Sequence, residues 1–413
     1  MKRTPLIALL LICIMLFAAC TGGGGTTPSA SSAPSASESV AASEGAAESA
    51  EAPEAGAAKT HTNADAFEYV NEAGTKSDIN KYYNDLGIDC NVDIRCTGGD
   101  VKIKDGAIAE MPKPDEKYKI GFSVYYTVDE VGSMYLEAMK EAAQEAGIEL
   151  LINDANYDQN SQDQAIEQWI LQDVDGVILT PCDFTGVKAS LDALEKAGIP
   201  VISLDAPPQA GNVDSIVTYD CIEQGRLAGE LLEQALVDSG SDMKGKIIYN
   251  TLPFVHPNAV TRILGFEGVF EKYPDIELIE LTGESPEEHY TAFEGAIQAN
   301  PDMLGAWGLY SSATIGMNNA KLAAKRDDIL LTSVDNDRPI LAGISKGEVL
   351  GSACYSAVDG SRIALCQMIN LLNGVEIPGI VYQENKLVTK DNVEEMFPHY
   401  YPGNTLEGYM SAN

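Results

Sequence analysis

The chain has 413 residues, a formal net charge of −35, an apolar fraction of 45% and eight cysteines. So acidic a balance excludes a general nucleic-acid-binding surface, because phosphates would meet more carboxylates than ammonium groups. It describes a solvated exterior rather than any one pocket. The length exceeds one ordinary core and leaves room for two domains.

In chain order, Lys2-Arg3, the unbroken apolar run from Leu6 to Phe17, Ala18-Ala19 and Cys20 stand as in a lipoprotein export signal. The run is too short to span a bilayer comfortably. Residues 1–19 are therefore expected to be removed, with Cys20 as the lipidated first residue of the mature chain. The segment resembles the bacterial lipobox, with Phe17 where Leu is commoner, and the resemblance implies a thioether-linked diacylglycerol. Each buried methylene adds roughly 0.8 kcal/mol of membrane affinity, so two or more acyl chains hold firmly. Residues 20–59 are then almost entirely Gly, Ser, Ala, Pro, Thr and Glu. They cannot bury a core, and they read as a flexible tether spanning roughly 30 to 40 Å. Removing Lys2 and Arg3 takes the formal charge to −37.

Residues 60–116 read as a small extension packed on the first lobe, or equally as a spacer or docking element. They hold Cys90 and Cys96, a candidate disulfide outside the cytoplasm, with two free thiols as the alternative. None of the six cysteines beyond Cys13 and Cys20 forms a C-x-x-C pair, so zinc and thioredoxin-like chemistry are not indicated. Cys182, Cys221, Cys354 and Cys366 lie among apolar neighbours and are expected to be unpaired core or near-core residues.

From Lys117 onward short apolar strands alternate with amphipathic helices, the pattern of a parallel, helix-covered sheet. The first strands are Lys119–Tyr125, Ile148–Ile152, Gly176–Thr180, Pro200–Leu204 and Ser215–Tyr219. A helix over Gly132–Ala146 carries Met134, Ala138, Ala142 and Ala146 at helical spacing, predicting the face laid on the sheet. A second set comprises Lys246–Asn250, Glu277–Leu281, Leu304–Leu309, Ile329–Val334 and Val349–Ala353. Ten strands in two equal groups predict an α/β protein of two similar doubly wound lobes, since a twisted sheet rarely grows to ten strands without splitting. Facing sheets would bind a small molecule in the cleft outside their carboxyl ends.

The phrase Ala165-Ile-Glu-Gln-Trp-Ile-Leu-Gln-Asp-Val-Asp-Gly-Val-Ile-Leu-Thr-Pro181, followed by Lys196-Ala-Gly-Ile-Pro-Val-Ile-Ser-Leu-Asp205, resembles the first lobe of type I periplasmic substrate-binding proteins. The resemblance is to the ribose-type sugar-binding proteins of ABC importers. Arg262-Ile-Leu-Gly-Phe266, Leu330-Leu-Thr-Ser-Val-Asp335 and Leu387-Val-Thr-Lys-Asp-Asn-Val393 extend it, so that it covers 117 to 397. It implies two lobes joined by three crossings, near Asp220, Ser356 and Gly379, that close around one ligand. The first lobe would be 117–220 plus 357–378, and the second 221–356 plus 379–413. The implied protein is a monomeric, extracytoplasmic, lipid-anchored binding protein that needs no cofactor or metal. It would capture a sugar or related polyol and pass it to ABC permease subunits.

The resemblance also places a site. Asp205 and Asp335 stand at the matching acidic positions, one per lobe, each able to accept two ligand hydroxyls; helix caps are the plainer role for such residues. Ala206 and Val260 stand where the family carries arginines, and Arg262 matches a neighbouring structural Arg, so the pocket is expected to lack an Arg. Tyr310 and Tyr355 replace family amides, Tyr125 and Tyr126 end the first strand, and Asp129 and Glu284 follow by ungapped spacing. Carboxylates and rings without an Arg suit a neutral or amine-bearing polyhydroxylated ligand, a nucleoside being an alternative, and disfavour a sugar phosphate.

Enzyme signatures are absent in context. Gly343-Ile-Ser-Lys-Gly347 has the letters of a nucleophile elbow but leads from helix into strand, the reverse of the required order. Residues 240–246 mimic a phosphate loop that lacks its Ser or Thr. His61, His256, His289 and His399 have no metal-ligand spacing and are expected at surface or loop positions. A sensor that presents its closed form to a membrane receptor would share all these features.

Overall fold

The computed structural model describes residues 59–74, 78–104, 110–128, 130–253 and 256–412, within a compact unit of residues 56–413. The export signal, Cys20, nearly all of the tether and Asp129 lie outside the described residues. Among the described residues no helix is long and apolar enough to cross a membrane.

The extension supplies β1 (Phe67–Tyr69), α1 (Ile79–Asp85), β2 (Asn91–Ile94) and β3 (Asp100–Ile103). Next come β4 (Lys119–Val124), α2 (Glu130–Ala146), β5 (Glu149–Asp154), α3 (Gln159–Leu171), β6 (Gly176–Leu179), α4 (Lys188–Ala197), β7 (Val201–Leu204), β8 (Ala210–Val213) and β9 (Ser215–Tyr219). The second lobe runs through α5 (Cys221–Asp238), β10 (Gly245–Thr251), α6 (Pro257–Phe270), β11 (Ile276–Thr282), α7 (Pro286–Ala299), β12 (Met303–Gly308), α8 (Ser311–Ala323), β13 (Leu330–Val334), α9 (Arg338–Lys346) and β14 (Gly351–Cys354). The chain returns with α10 (Ala357–Leu372) and β15 (Ile380–Gln383), then ends with β16 (Lys386–Thr389), α11 (Val393–Tyr400) and α12 (Leu406–Ala412).

Two sheets organise these elements, with strand orders β1-β3-β15-β9-β7-β6-β4-β5 and β11-β10-β12-β13-β14-β16; β2 and β8 pair separately. Within each, five parallel strands follow the same doubly wound order: β5-β4-β6-β7-β9 and β11-β10-β12-β13-β14. The two lobes are thus copies of one topology, and their carboxyl edges are where ligands bind in such sheets. The first sheet is covered on both faces, which explains its near-continuous apolar strands. In β6, Ile178 packs with Phe122, Tyr135 and Ile363, whereas Val177 and Leu179 pack with Trp169 and Leu191 on the other side.

The chain crosses between sheets at Asp220 and Ser356, and each residue N-caps the helix beyond it. Asp220 accepts from Glu223 N and Ser356 from Asp359 N. The third crossing, expected near Gly379, falls instead at Glu384-Asn385. Ile380–Gln383 forms a strand between β9 and β3, with Ile380 opposite both Ile216 and Asp100, so 379–383 belongs to the first sheet rather than the second lobe. The extension is therefore part of the first sheet's edge, through β3 and β1.

Cys90 and Cys96 are free thiols, not a disulfide. They flank the extended strand β2, and six extended residues separate Cα atoms by roughly 20 Å, far beyond bridging reach. Cys182, Cys221, Cys354 and Cys366 are free as well. Helix α2 buries Val131, Tyr135, Ala138, Met139 and Ala142; Met134 and Ala146 lie at the margin, so the buried stripe is rotated from the one expected.

Candidate functional site

Asp205 follows β7 and Asp335 follows β13, the fourth strand of each doubly wound order. Both hold the left-handed backbone, with φ of 79° and 74°, a conformation that non-glycine residues adopt at a cost and that Asp tolerates best. Neither is the N-cap residue of the helix that follows it, although Asp335 takes the first amide of α8. The matching strained backbone at equivalent places in two lobes points both carboxylates to the carboxyl edges.

Their environments differ. Asp205 Oδ1 accepts from the hydroxyls of Tyr219 at 2.7 Å and Tyr135 at 3.0 Å, which leaves Oδ2 as its open acceptor. Burial pushes this carboxyl above its ordinary range, opposed by the two phenols and by the charge of Arg262. Asp335 instead takes Arg262 Nη2 on Oδ1 at 3.2 Å and Ser311 N on Oδ2 at 3.1 Å.

Arg262 corrects the expectation of a pocket without Arg. It is only 6% exposed, and two further donors reach Gln224 Oε1 at 2.9 Å and Leu309 O at 3.2 Å. The guanidinium lies 5.7 Å from the Tyr219 ring centroid. Burial, the largest single effect, would lower its pKa, but Asp335 and the acidic groups of Tyr219, Cys221 and Tyr355 together outweigh it and raise the pKa. Close helix packing puts it there: a Cβ at Gly225 of α5 would lie 1.8 Å from Arg262 O, and one at Gly265 of α6 would lie 2.0 Å from Ile222 O.

Of the tyrosines, Tyr355 is buried and stacks on Tyr219, with centroids 3.8 Å apart and planes 20° from parallel. Tyr125 and Tyr126 are half-buried beside Tyr157, at 5.3 Å and 4.9 Å, forming an aromatic rim on the first lobe. Tyr310 donates to Gly283 O at 2.9 Å and meets His289 Nε2 at 2.6 Å. Since the Tyr310 proton is committed, His289 carries its proton on Nε2, and Nδ1 accepts from Asn250 at 2.9 Å. Glu284 sits at the exposed turn after β11, its amide bonded to Glu288, outside the Asp205–Asp335 cluster.

The histidines were expected at surface or loop positions: His61 and His256 do lie in loops and His399 is partly exposed, but two of the four are buried. His61 and His289 are buried, and desolvation lowers each to about 4. His256 N-caps α6, packs edge-on against Phe184 at 4.8 Å, and is lowered by burial to about 3. No group of three His, Cys, Asp or Glu suited to a metal exists among the described residues. Gly343–Gly347 ends α9 with a left-handed Gly347 and leads into β14, unlike a nucleophile elbow.

Several contacts join the lobes over this cluster. Asn258 of α6 donates to the Tyr219 hydroxyl at 3.2 Å. Glu130 of α2 receives the Arg338 amide at 2.7 Å, its guanidinium at 3.2 Å and the Tyr401 hydroxyl at 2.8 Å. Tyr135, Tyr219, Asn258, His256 and Phe184 were missed by sequence reasoning. Tyr219 and His256 carried no signal beyond ending a strand or preceding a helix.

A family model described as a periplasmic binding protein domain matches residues 120–376. The ribose import binding protein of Bacillus subtilis is 22% identical over 279 residues, covering 67% of this chain and 88% of that protein. The xylitol-binding protein of Mycolicibacterium smegmatis is 23% identical over 266 residues, 64% and 75%. Among solved structures, an ABC transporter solute-binding protein from Mycobacterium smegmatis with bound glycerol superposes with a TM-score of 0.63 at 26% identity, over 68% of this chain and 97% of that one. One from Actinobacillus succinogenes with bound D-allose gives 0.63 at 22% identity, over 68% and 100%.

Proposed function

This chain belongs to the periplasmic binding protein family, whose members are extracytoplasmic binding components and not enzymes, and from that premise we propose that it captures a neutral sugar or polyol between its lobes for an ABC importer. The observation that carries the reading is the pair Asp205 and Asp335, in matching left-handed conformations at equivalent strand ends. Asp205 offers Oδ2 to ligand hydroxyls, Tyr355, Tyr125 and Tyr126 supply apolar faces for a sugar ring, and Tyr310 borders the second-lobe side.

Arg262 does not turn the site toward anions. Its guanidinium is engaged by Asp335, Gln224 and Leu309, and the cluster of two carboxylates and one guanidinium stays net negative. A phosphate would enter a net-negative cluster whose one cation is already paired with Asp335, which is costly. Cys20 as lipid anchor and the tether to residue 59 would keep the binding unit near the permease.

The test is a melting screen of residues 60–413, within the compact unit, against D-ribose, D-allose, xylitol, myo-inositol and D-ribose 5-phosphate. A bound neutral polyol at a thousandfold excess over its Kd stabilises by about 4 kcal/mol, and Asp205→Ala should abolish the shift. Binding of the phosphate alone would overturn the reading.

A further inference from the structure

Tyr219 joins Asp205 of the first lobe to Asn258 and Tyr355 of the second, beside Arg262, the partner of Asp335. It ends β9, directly before the Asp220 crossing. Its hydroxyl has one proton, donated to Asp205 Oδ1 at 2.7 Å, and a lone pair that accepts from Asn258 Nδ2 of the second lobe at 3.2 Å. One face of the ring lies on Tyr355, directly before the Ser356 crossing, at 3.8 Å. The Arg262 guanidinium stands 5.7 Å from its centroid. Any rotation of the lobes about Asp220 and Ser356 must disturb this stack and lengthen the Asn258 bond.

We propose that Tyr219 is a positioning residue that ties the first-lobe carboxylate Asp205 to helix α6 of the second lobe, so that ligand capture at Asp205 and lobe closure are a single event. The site reading above is its premise only where a ligand is involved. A ligand hydroxyl donating to Asp205 Oδ2 leaves the Tyr219 bond to Oδ1 intact. The carboxylate, now fixed at both oxygens, holds the phenol where Asn258 can donate to it. Without the hydroxyl, Tyr219 would meet the second lobe at this point only through its ring.

The test removes the hydroxyl and keeps the ring. In the purified protein without ligand, Tyr219→Phe should give a larger radius of gyration by small-angle scattering than the parent. With the best-binding polyol among D-ribose, D-allose, xylitol and myo-inositol, affinity should fall about tenfold, the worth of one bridging hydrogen bond. Losing a donor to Asp205 should also move the acid limb of the binding profile to higher pH, a shift that a purely structural role would not produce. Asn258→Leu breaks the same bridge from the other lobe while leaving the phenol on Asp205, so it should open the lobes without moving the acid limb. The double variant should be no more open than Tyr219→Phe. The coupling is overturned if Tyr219→Phe scatters as the parent does, if the two openings simply add, or if the acid limb stays put. If none of the four polyols binds the parent, the ligand reading fails while the scattering comparison still judges the coupling.

Discussion

Replacing Arg262 by Met should cost the second lobe far more stability than its lost surface suggests. Arg262 and Asp335 form a buried pair, their side chains 8% and 9% exposed. Removing one partner of such a pair costs about 3–5 kcal/mol, because the remaining charge stays dry and uncompensated. Gln224 Oε1 and Leu309 O lose their donor too, at roughly 1–3 kcal/mol each where water cannot replace it. A loss of at least about 4 kcal/mol is expected, a large share of the 5–15 kcal/mol typical of a domain. Urea unfolding read by Trp307 fluorescence measures it in the relevant lobe, since Trp307 stacks on Phe266 of α6 at 4.3 Å; Trp169→Phe removes the other tryptophan's signal. Asp335→Asn keeps an acceptor for Ser311 N and removes the charge, so in the Arg262→Met background it should restore at least half the loss. A single-variant loss under about 1 kcal/mol, or no recovery in the double variant, would refute a charge-centred account.

Gly225→Ala should destabilise by at least about 1–3 kcal/mol through overpacking against Arg262 O, whereas Gly268→Ala on the open side of α6, where a Cβ meets nothing within 4 Å, should stabilise by roughly 0.5–1 kcal/mol; melting of the two variants checks both signs. His61 and His289 are lowered to about 4 and His256 to about 3. Their neutral forms therefore add stability that is present above pH 6.5 and lost as pH falls toward 4, and His289→Gln should flatten part of that slope in urea midpoints measured against pH. Asp205 works in the opposite direction, its raised carboxyl favouring the folded state more as pH falls. Glu130→Gln weakens a pair whose side chains are 34% and 29% exposed. A pair of that kind is worth at most about 1 kcal/mol, so stopped-flow ligand release should quicken only a few-fold, and the difference should shrink in high salt.

The ten strands read from sequence all lie in the two sheets because each is a short apolar run closed by turn residues. The strands that escaped notice are short, and two of them lie inside the first sheet: β3, Asp100-Val-Lys-Ile103, alternates charge with Val and Ile, and β15 follows Pro378-Gly379, letters that mark a turn. The third crossing was misplaced for that reason. Helix α2 shows a different limit. Met134, Ala138, Ala142 and Ala146 and the observed Val131, Tyr135, Ala138, Met139 and Ala142 are neighbouring stripes of one apolar arc, and periodicity does not choose between them. The choice matters, because the observed rotation brings the Tyr135 hydroxyl to Asp205. Arg262 was visible as a letter but not as a site residue. Its place depends on two glycines in different helices letting α5 and α6 approach backbone to backbone, a contact that no local pattern encodes.

The two aspartates share a strand position and a backbone conformation, yet the lobes treat their charges differently. Asp335 is neutralised inside its own lobe by Arg262, so its environment is complete whether or not the lobes meet. Asp205 has only neutral phenols, and the nearest cation, Arg262, belongs to the other lobe. Closure thus brings a cation toward the unneutralised carboxylate while removing water from it, and these two effects oppose each other. On the proposed reading, a ligand hydroxyl on Oδ2 would tip the balance by replacing the lost water with a fixed donor. With that site, such an asymmetric pair would make the first lobe's carboxylate the one that responds to occupancy, which two fully neutralised aspartates would not do.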